Sequence, residues 1–174
     1  MPSIRPLRAA DLPAVLTIQA ANYPADLLED QAFYANRLDL AAEHCWAAVD
    51  AQGQLQGYLI AYPWDDGLPP ALGARLARLP SRASTWFLHD CAVHRAAQGQ
   101  GVAGRLYHHA RGQARRARLT QGRLVSLAGA IGYWQRHRYQ PVPADAALAA
   151  KLAGYGPGAC LMHLSLEDPD GDLA

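Results

Sequence analysis

Apolar and polar positions in the first part of the chain predict a strand, two helices and a β-hairpin. Residues 4–7 have the character of a short strand. The apolar positions that follow Asp11 recur at helical spacing, so we expect Asp11 to cap a helix. A second helix is predicted over residues 26–40. The apolar runs 45–49 and 55–62 flank a short polar segment, which indicates a hairpin of two strands.

The second part of the chain predicts strands that alternate with helices, after a long segment without periodicity. Residues 63–84 contain four Pro and two Gly, and segments of this length in compact domains are often substrate covers. The elements predicted after it are the strands 85–93, 123–127 and 160–166 and the helices 104–119 and 131–137. This order predicts a single α/β domain over residues 1–166, followed by an acidic, flexible tail at 167–174.

Length and composition suit a folded cytoplasmic domain. The chain has 174 residues, of which 51% are hydrophobic, and this is enough to bury a core. No apolar run reaches membrane-spanning length and the N-terminus lacks the apolar core of a secretion signal, so we expect no membrane partner. Cys45, Cys91 and Cys160 lie far apart without CxxC spacing, which indicates reduced thiols. No metal site is predicted.

Charge is distributed unevenly along the chain. The formal net charge is +1, yet no acidic residue occurs between Asp90 and Asp145, a stretch that contains nine arginines. Such a basic region fits a polyanionic small molecule, with nucleic acid as the second choice. A solvated helix face explains the arginines from Arg111 to Arg118 equally well. Nucleic-acid binding is disfavoured because exposed aromatic residues are not interleaved with these charges.

A glycine-rich turn, residues 98–104, separates the predicted strand 85–93 from the next helix. Glycine lets the main chain approach an anion closely and a helix N-terminus carries partial positive charge, so this glycine turn predicts phosphate binding. Gly99, Gly101 and Gly104 match the dinucleotide pattern GxGxxG. The acidic residue that pattern needs about 20 positions later is missing. A Walker P-loop is excluded because no Gly-Lys-Ser/Thr follows.

Taken as Gln-x-x-Gly-x-Ala, the same turn resembles the Arg/Gln-x-x-Gly-x-Gly/Ala signature of the GNAT superfamily of acyl-CoA-dependent N-acetyltransferases. The strand before it ends in Ala92-Val93, and residues 133–139, YWQRHRY, are similar to the family's Phe/Leu-Tyr-x-x-x-Gly-Phe. Within the superfamily, residues 88–96 and 57–66 look most like the arylalkylamine (serotonin-type) N-acetyltransferases. The resemblance implies the GNAT acyl-CoA N-acyltransferase fold, a splayed mixed sheet flanked by helices, and acetyl transfer from acetyl-CoA to a primary amine.

The resemblance also implies where the coenzyme binds. The main-chain amides of Cys91, Ala92 and Val93 would hold the pantetheine arm and the oxyanion of the reaction. Trp134 would line the same site. The residues expected to cradle the diphosphate are Gln98, Gly99, Gln100, Gly101, Val102, Ala103, Gly104 and Arg105.

Acetyl transfer to an amine requires a proton acceptor, because an alkylamine has a pKa of about 10.4 and attacks only as the free base. His89 matches the histidine with which arylalkylamine enzymes relay this proton; a structural strand histidine is the alternative. If the strand is regular, His89 shares a face with Val93, while Asp90 points to the opposite face as a salt-bridge partner or a separate base.

Protonation of the departing thiolate has two explanations in this sequence. Trp134 stands where the family usually has tyrosine, and an indole N–H donates a hydrogen bond but no proton. Tyr133 is therefore the candidate acid, with a core aromatic as its alternative role. Otherwise the thiolate leaves unassisted, which a pKa near 8.5 permits. Arg138 replaces the family's helix-ending glycine, so the conformation of that turn is left open.

The acceptor pocket is expected between the early helices and residues 63–84. An apolar aromatic wall that suits an arylalkylamine would come from Tyr23, Pro24, Leu27, Leu28 and Phe33, with Trp64. The acidic residues Asp26, Glu29, Asp30, Asp65 and Asp66 would equally suit a polyamine or a peptide N-terminus. Ser126 would hydrogen-bond the acceptor or only its own sheet. The missing proton donor at Trp134 also allows a catalytically silent acyl-CoA-binding or sensing module. A monomer and a homodimer both fit the sequence.

Overall fold

In residues 1–167, which the computed structural model describes, seven strands form one mixed sheet. The strands are Ser3–Pro6 (β1), Trp46–Val49 (β2), Leu55–Trp64 (β3), Thr85–Val93 (β4), Gln121–Ser126 (β5), Gln140–Pro141 (β6) and Cys160–Ser165 (β7). Their order in the sheet is β1-β2-β3-β4-β5-β7-β6, and among these pairs only β4 and β5 run parallel. This mixed sheet with flanking helices confirms the predicted α/β fold class.

Five helices flank the sheet within the described residues. They are Leu12–Asn22 (α1), Gln31–Ala41 (α2), Val102–Arg116 (α3), Ile131–Arg136 (α4) and Ala146–Ala153 (α5). Short 3-10 turns occur at Ala9–Asp11, Ala25–Leu27, Ala42–His44, Arg95–Ala97 and Ala128–Ala130. No helix in residues 1–167 is both long and apolar enough to span a bilayer.

Some predicted boundaries were wrong, and β6 and α5 were not predicted at all. The second helix begins at Gln31, five residues after the predicted start, because the Asp30 side chain accepts a hydrogen bond from the Phe33 N–H at 2.8 Å and caps it there. The helix after the glycine turn begins at Val102, since Gly101 adopts a left-handed conformation and serves as its N-cap. Residues 168–174 of the predicted acidic tail lie outside the described residues.

The two faces of the sheet are buried by different helices. The helix α3 packs on one face, where Leu106 joins a buried cluster with Trp86 and Leu88. The helices α1 and α2 pack on the other, where Ile18 and Phe33 join a second cluster with strand β3. Burying such a side chain contributes about 1.5–3 kcal/mol to folding. Because β4 is central and covered on both sides, it can present side chains to both layers.

The strands β4 and β5 separate part of the way along the sheet. Their pairing covers only residues 85–88 of β4 with 121–124 of β5, whereas β4 stays paired with β3 as far as Val93. A bulge interrupts the β3–β4 pairing, since Ile60 faces Asp90 while Ala61 faces Leu88, which leaves His89 without a partner. We call the opening between residues 89–93 of β4 and residues 125–126 of β5 the gap.

The helices α3 and α4 both end in a turn that places an arginine in the left-handed region. Arg118 has φ of 61° and Arg138 has φ of 66°. After α4, the Tyr139 N–H donates to the Trp134 carbonyl at 3.1 Å and the Arg138 N–H donates to Gln135, which is the Schellman pattern of helix ends. Arg138 therefore forms the same turn that glycine forms in the family signature. Its backbone is strained, because an arginine in the left-handed region carries a Cβ.

Replacing Arg118 by glycine is expected to raise the free energy of unfolding by about 0.5–1 kcal/mol, because glycine adopts left-handed φ values without a Cβ penalty. Urea denaturation measures this change. Arg116→Gly is the matched control inside the helix, and it should lower the free energy of unfolding by about 1 kcal/mol or less. Equal destabilisation by both changes would contradict a strained turn at Arg118.

Candidate active site

The gap contains a cavity of 320 Å³ that runs between β4, β5 and the helix α4. Residues 88–93 of β4 form one wall, and Leu124 and Val125 of β5 form the other. Tyr133 and Trp134 of α4 close one side. The gap cavity shares Gln98 and Ala103 with a second hollow over the glycine turn, so the two spaces meet.

The glycine turn presents main-chain N–H groups to this second hollow. Gly99 and Gly101 have φ values of 76° and 75°, which only glycine adopts without strain. The first hydrogen bond of α3 runs from the Arg105 N–H to the Gly101 carbonyl at 3.1 Å, so the N–H groups of residues 101–104 lack acceptors within the helix. A Cβ at Gly104 would meet no atom within 4 Å. This geometry suits an anion at a helix N-terminus.

Not every residue predicted to cradle the diphosphate lines that hollow. Gln98, Gly99, Gly101, Val102, Ala103 and Gly104 line it. The Gln100 side chain instead donates back to the Ala96 carbonyl at 2.8 Å, and Arg105 is exposed on α3. In this hollow, the glycine turn therefore offers main-chain N–H donors more than polar side chains.

Asn22, which the sequence analysis did not select, connects the glycine turn to β4. Its amide group donates to the Val93 carbonyl at 3.1 Å, and its carbonyl oxygen accepts from the Gln98 side chain at 3.0 Å. The end of α1 thereby fixes the distance between β4 and the glycine turn. No sequence motif marks Asn22, because its partners are more than seventy positions away.

Main-chain polar groups of alternate β4 residues face the gap. The Cys91 carbonyl accepts from the Tyr23 hydroxyl at 3.3 Å and the Val93 carbonyl accepts from Asn22, both on the open side. The His94 N–H donates in the opposite direction, to the Gln56 carbonyl beside β3. Since strand N–H and C=O groups alternate in direction, the amides of Cys91 and Val93 face the gap and that of Ala92 faces β3. The expectation that all three amides face the coenzyme is corrected accordingly.

The bulge changes the face on which His89 lies. A regular strand would place His89 beside Val93, but the extra residue turns His89 to the α2 side, where its ring lies 4.8 Å from that of Phe33. Asp90 lies on this same side, because it contacts Tyr34 of α2. The predictions that His89 shares a face with Val93 and that Asp90 points away from it were therefore wrong.

His89 forms a buried pair with Glu29. His89 Nε2 lies 2.6 Å from Glu29 Oε2, and the two side chains are 3% and 4% exposed. An ionised carboxylate only accepts hydrogen bonds, so Nε2 carries the hydrogen and Nδ1 of the neutral ring keeps a lone pair. His89 Nδ1 is buried and has no hydrogen-bond partner among the described residues. The pair thus fixes the orientation of the imidazole and leaves its second nitrogen unpaired.

Glu29 is held in place by contacts on both its main chain and its side chain. The Gln19 side chain accepts from the Glu29 N–H at 3.2 Å and donates to the Glu29 carbonyl. The second carboxylate oxygen, Oε1, accepts from the Gly73 N–H at 2.8 Å. The sequence analysis placed Glu29 inside a helix and so did not identify it as the partner of His89. The structure instead places it in the extended link before α2.

Asp90 is bound by three tyrosine hydroxyls. Tyr23 donates to Oδ1 at 2.8 Å, while Tyr58 and Tyr34 lie 2.7 Å and 3.0 Å from Oδ2. Burial raises the pKa of Asp90 above its ordinary value, although the hydrogen bonds from Tyr58 and Tyr23 oppose that shift. The preference for Asp90 as a salt-bridge partner was wrong, since hydroxyl groups bind both of its oxygens.

A smaller cavity of 80 Å³, the acceptor cavity, lies on the far side of the gap from the glycine turn. Its polar residues are Gln19, Tyr23, Glu29, His89, Asp90 and Tyr155. Its apolar residues are Leu27, Leu72, Val125 and Leu127. The two cavities meet at His89, because both are lined by Tyr23, His89, Asp90, Val125 and Leu127.

Residues 65–84, which we call the cover, close one side of the acceptor cavity through Leu72. Side chains from several elements hold the cover. Asn36 of α2 exchanges two hydrogen bonds of 2.9 Å with the main chain of Leu76. Arg37 donates to the Ala74 carbonyl at 2.8 Å, and the Tyr155 hydroxyl donates to the Pro70 carbonyl at 3.1 Å. The proposed role of this segment as a substrate cover agrees with these contacts.

Three of the residues expected to bind the acceptor lie elsewhere. Leu28 is 38% exposed on the surface. The Trp64 indole donates to the Leu68 carbonyl at 3.1 Å, and the buried Ser126 hydroxyl donates to the Leu127 carbonyl at 2.9 Å. Of the residues expected to form the acceptor pocket, Tyr23, Leu27 and Glu29 line the acceptor cavity.

The two aromatic residues of α4 face different surroundings. Tyr133 lines both the gap cavity and the hollow over the glycine turn. Burial raises its pKa, the Cys91 thiol raises it further, and the Arg136 guanidinium lowers it. Trp134 packs its ring against Tyr107 and Tyr139, at 5.9 Å and 5.7 Å between ring centres. Both rings therefore border the gap, and of the two only Tyr133 also borders the hollow over the glycine turn.

Comparisons with known proteins agree with this architecture. A family model described as "Acetyltransferase (GNAT) family" matches residues 12–139. No curated protein sequence matches the chain.

Solved structures show the same fold at low sequence identity. Ard1 from Thermoplasma volcanium has a TM-score of 0.72 and 13% identity, over 96% of this chain and 99% of that one. The ribosomal-protein-S18-alanine N-acetyltransferase from Escherichia coli has a TM-score of 0.64 and 17% identity, over 100% and 99%. Rv2747 from Mycobacterium tuberculosis, in complex with CoA and NLQ, has a TM-score of 0.68 and 15% identity, over 94% and 99%.

Proposed function

The chain belongs to the acetyltransferase (GNAT) family, and on that premise we propose that it transfers the acetyl group of acetyl-CoA to the primary amine of a small acceptor. The observation that carries this proposal is the buried His89–Glu29 pair at the junction of the gap and the acceptor cavity. Without it, the fold would be equally compatible with a module that only binds an acyl-CoA.

The glycine turn and the gap fit coenzyme A. The unpaired N–H groups at residues 101–104 and the open space at Gly104 would accept the diphosphate, and the gap cavity would take the pantetheine arm. When bound there, acetyl-CoA supplies the activated acetyl group. The rest of the chemistry is assigned to residues of this chain.

His89 would remove the proton from the acceptor amine. With Nε2–H held by Glu29, the buried Nδ1 atom would accept the proton, directly or through one water molecule, once binding of the acceptor exposes it. The N–H groups of Cys91 and Val93, which face the gap, would stabilise the oxygen that gains negative charge during attack on the thioester. Tyr133 would donate the proton that the departing thiolate takes up. No step requires a metal.

Release of free thiol from acetyl-CoA tests this proposal. With a panel of aromatic and aliphatic amines, polyamines, amino acids and peptide N-termini, at least one class should give amine-dependent thiol release. Acetylated product, identified by mass spectrometry, should appear in equal amount. Binding of acetyl-CoA without thiol release from any acceptor would instead support the sensing module.

Tyr133→Phe is expected to lower kcat by roughly tenfold, with little effect on KM. The loss is modest because a thiolate with a pKa near 8.5 is a tolerable leaving group without an acid. Trp134→Phe is the matched control and should change kcat little, since it retains an aromatic packing partner for Tyr107 and Tyr139. A larger loss from Trp134→Phe than from Tyr133→Phe would remove Tyr133 from the mechanism.

A further inference from the structure

We propose that the acceptor is a small monoamine whose body is neutral and apolar, and not an amino acid, a polyamine or a peptide N-terminus. This inference rests on the proposed amine acetylation and assigns the substrate class of the acceptor cavity. Three properties of the cavity carry it: the signs of its charges, its apolar wall beside acidic groups that are already hydrogen-bonded, and the fixed position of the cover.

The charged groups of the acceptor cavity select against a carboxylate. Glu29 and Asp90 line it, and His89 is already hydrogen-bonded to Glu29. No lysine or arginine is among the residues that line this cavity. An amino acid would place its α-carboxylate next to the reacting nitrogen, beside two acidic residues and without a positive partner. Burying an unpaired charge in such surroundings is strongly unfavourable.

The apolar wall selects against a second ammonium group. Leu27, Leu72, Val125 and Leu127 form this wall, and Val125 and Leu127 also line the gap cavity beside His89. The acidic groups of the cavity are already engaged, Glu29 by His89 and the Gly73 N–H, and Asp90 by three tyrosine hydroxyls. An amine whose nitrogen reaches His89 therefore places its body against apolar side chains and finds no unengaged carboxylate. An alkyl or arylalkyl body gains free energy from this burial, whereas a polyamine would have to desolvate its second charge there.

The cover leaves little space for a chain that continues beyond the cavity. The cavity measures 80 Å³, well below the roughly 300 Å³ at which pockets for drug-sized ligands begin. The cover is held by Glu29 at Gly73, by Tyr155 at Pro70 and by Asn36 at Leu76. A peptide N-terminus would have to break these hydrogen bonds so that its following residues could leave the cavity.

Three acceptors that share one carbon chain test the inference. Pentylamine is the monoamine, 1,5-diaminopentane adds a second ammonium, and norleucine adds a carboxylate beside the amine. In thiol release from acetyl-CoA, we expect kcat/KM for pentylamine to exceed that for the other two by at least tenfold. An alanine-led tripeptide should also be at least tenfold poorer. Equal or better turnover of the diamine, norleucine or the peptide would overturn the inference.

A substitution in the apolar wall provides a second test. Leu127→Asp would give a second ammonium a partner, so the ratio of kcat/KM for 1,5-diaminopentane over pentylamine should rise at least tenfold. Leu68→Asp is the control, because Leu68 is 42% exposed and is not among the residues that line the acceptor cavity. An unchanged ratio in Leu127→Asp would contradict the assignment of this wall to the body of the acceptor.

Binding measurements separate failure of this inference from failure of the proposed function. Calorimetric titrations of the CoA-saturated protein with each amine do not require turnover. If no amine releases thiol but pentylamine binds at least tenfold more tightly than norleucine and the diamine, the acetyl transfer is wrong and the inferred ligand class stands. If norleucine or the diamine binds as tightly as pentylamine, or no amine binds, the inferred ligand class is wrong.

Discussion

Replacing His89 by glutamine is expected to lower kcat for acetyl transfer by about 100-fold or more, because a positioned general base contributes a factor of this size. Glutamine preserves much of the volume and can still contact Glu29, but its amide does not accept a proton near neutral pH. Steady-state thiol release as a function of pH measures the effect. Besides the loss in kcat, the acidic limb of the kcat/KM profile should change shape.

Two further variants show whether this loss is specific to His89. One changes a histidine outside both cavities and the other changes the partner of His89. His108→Gln alters an exposed histidine of α3 that is not among the residues lining either cavity, and it should leave kcat nearly unchanged. Glu29→Gln should lower kcat by about tenfold, since it weakens the orientation of the ring but keeps the imidazole. Unchanged rates in His89→Gln would remove this histidine from the mechanism.

Replacing Ala103 by proline is expected to weaken CoA binding by about 10- to 100-fold. Ala103 is the second residue of α3, where proline is tolerated, and α1 already has Pro13 at its own second position. The change removes one main-chain N–H from the hollow over the glycine turn. A hydrogen bond to a charged group contributes about 1.5–3 kcal/mol, which corresponds to this range of dissociation constants. Titration calorimetry with CoA measures the loss.

The control for this substitution is Ala103→Ser, which adds a side-chain oxygen but keeps the N–H group. Its affinity for CoA should stay within about threefold of the original, because the main-chain donor is kept and the side chain gains only one oxygen atom. Thermal unfolding of both variants without ligand shows whether α3 still forms. Equal CoA affinity in Ala103→Pro and Ala103→Ser, with both folded, would argue against main-chain capture of the diphosphate.

The sequence was most informative where function depends on the main chain. A glycine turn between a strand and a helix is a local pattern, so residues 98–104 predicted an anion site without knowledge of distant contacts. The fold class followed from the order of strands and helices together with this turn, and the structure confirms it. A sequence motif did not predict the turn at Arg138. There an arginine adopts the left-handed conformation of a Schellman turn, for which glycine is usual.

The face of His89 could not be predicted because it depends on a single extra residue in β4. A bulge reverses the alternation of side chains that follow it, and no residue type at Leu88, His89 or Asp90 marks its position. The expected separation of His89 from Asp90 failed for this reason. We assumed a regular strand, and this assumption placed His89 on the wrong face relative to Val93, whereas Asp90 lies opposite Val93 as expected.

The acceptor cavity was expected between the early helices and residues 63–84, where Tyr23, Leu27, Glu29 and Leu72 do line it. Its other residues could not be predicted, because segments distant in the chain contribute them; Tyr155, for example, follows α5. The expectation of one helix over residues 26–40 concealed the contact between Glu29 and His89, whereas the Asp30 cap at the true helix start leaves the Glu29 side chain free to reach His89. Spacing along the sequence carries no information on such long-range contacts.

The central claim is that main-chain donors of the glycine turn hold the diphosphate of coenzyme A, and one calorimetric comparison tests it most directly. CoA contains the diphosphate and pantetheine lacks it, while both contain the arm that would lie in the gap. We predict that CoA binds at least 100-fold more tightly than pantetheine, because several charge-assisted hydrogen bonds are lost with the diphosphate. Equal affinity for the two, or no heat of binding with millimolar CoA, would contradict the claim.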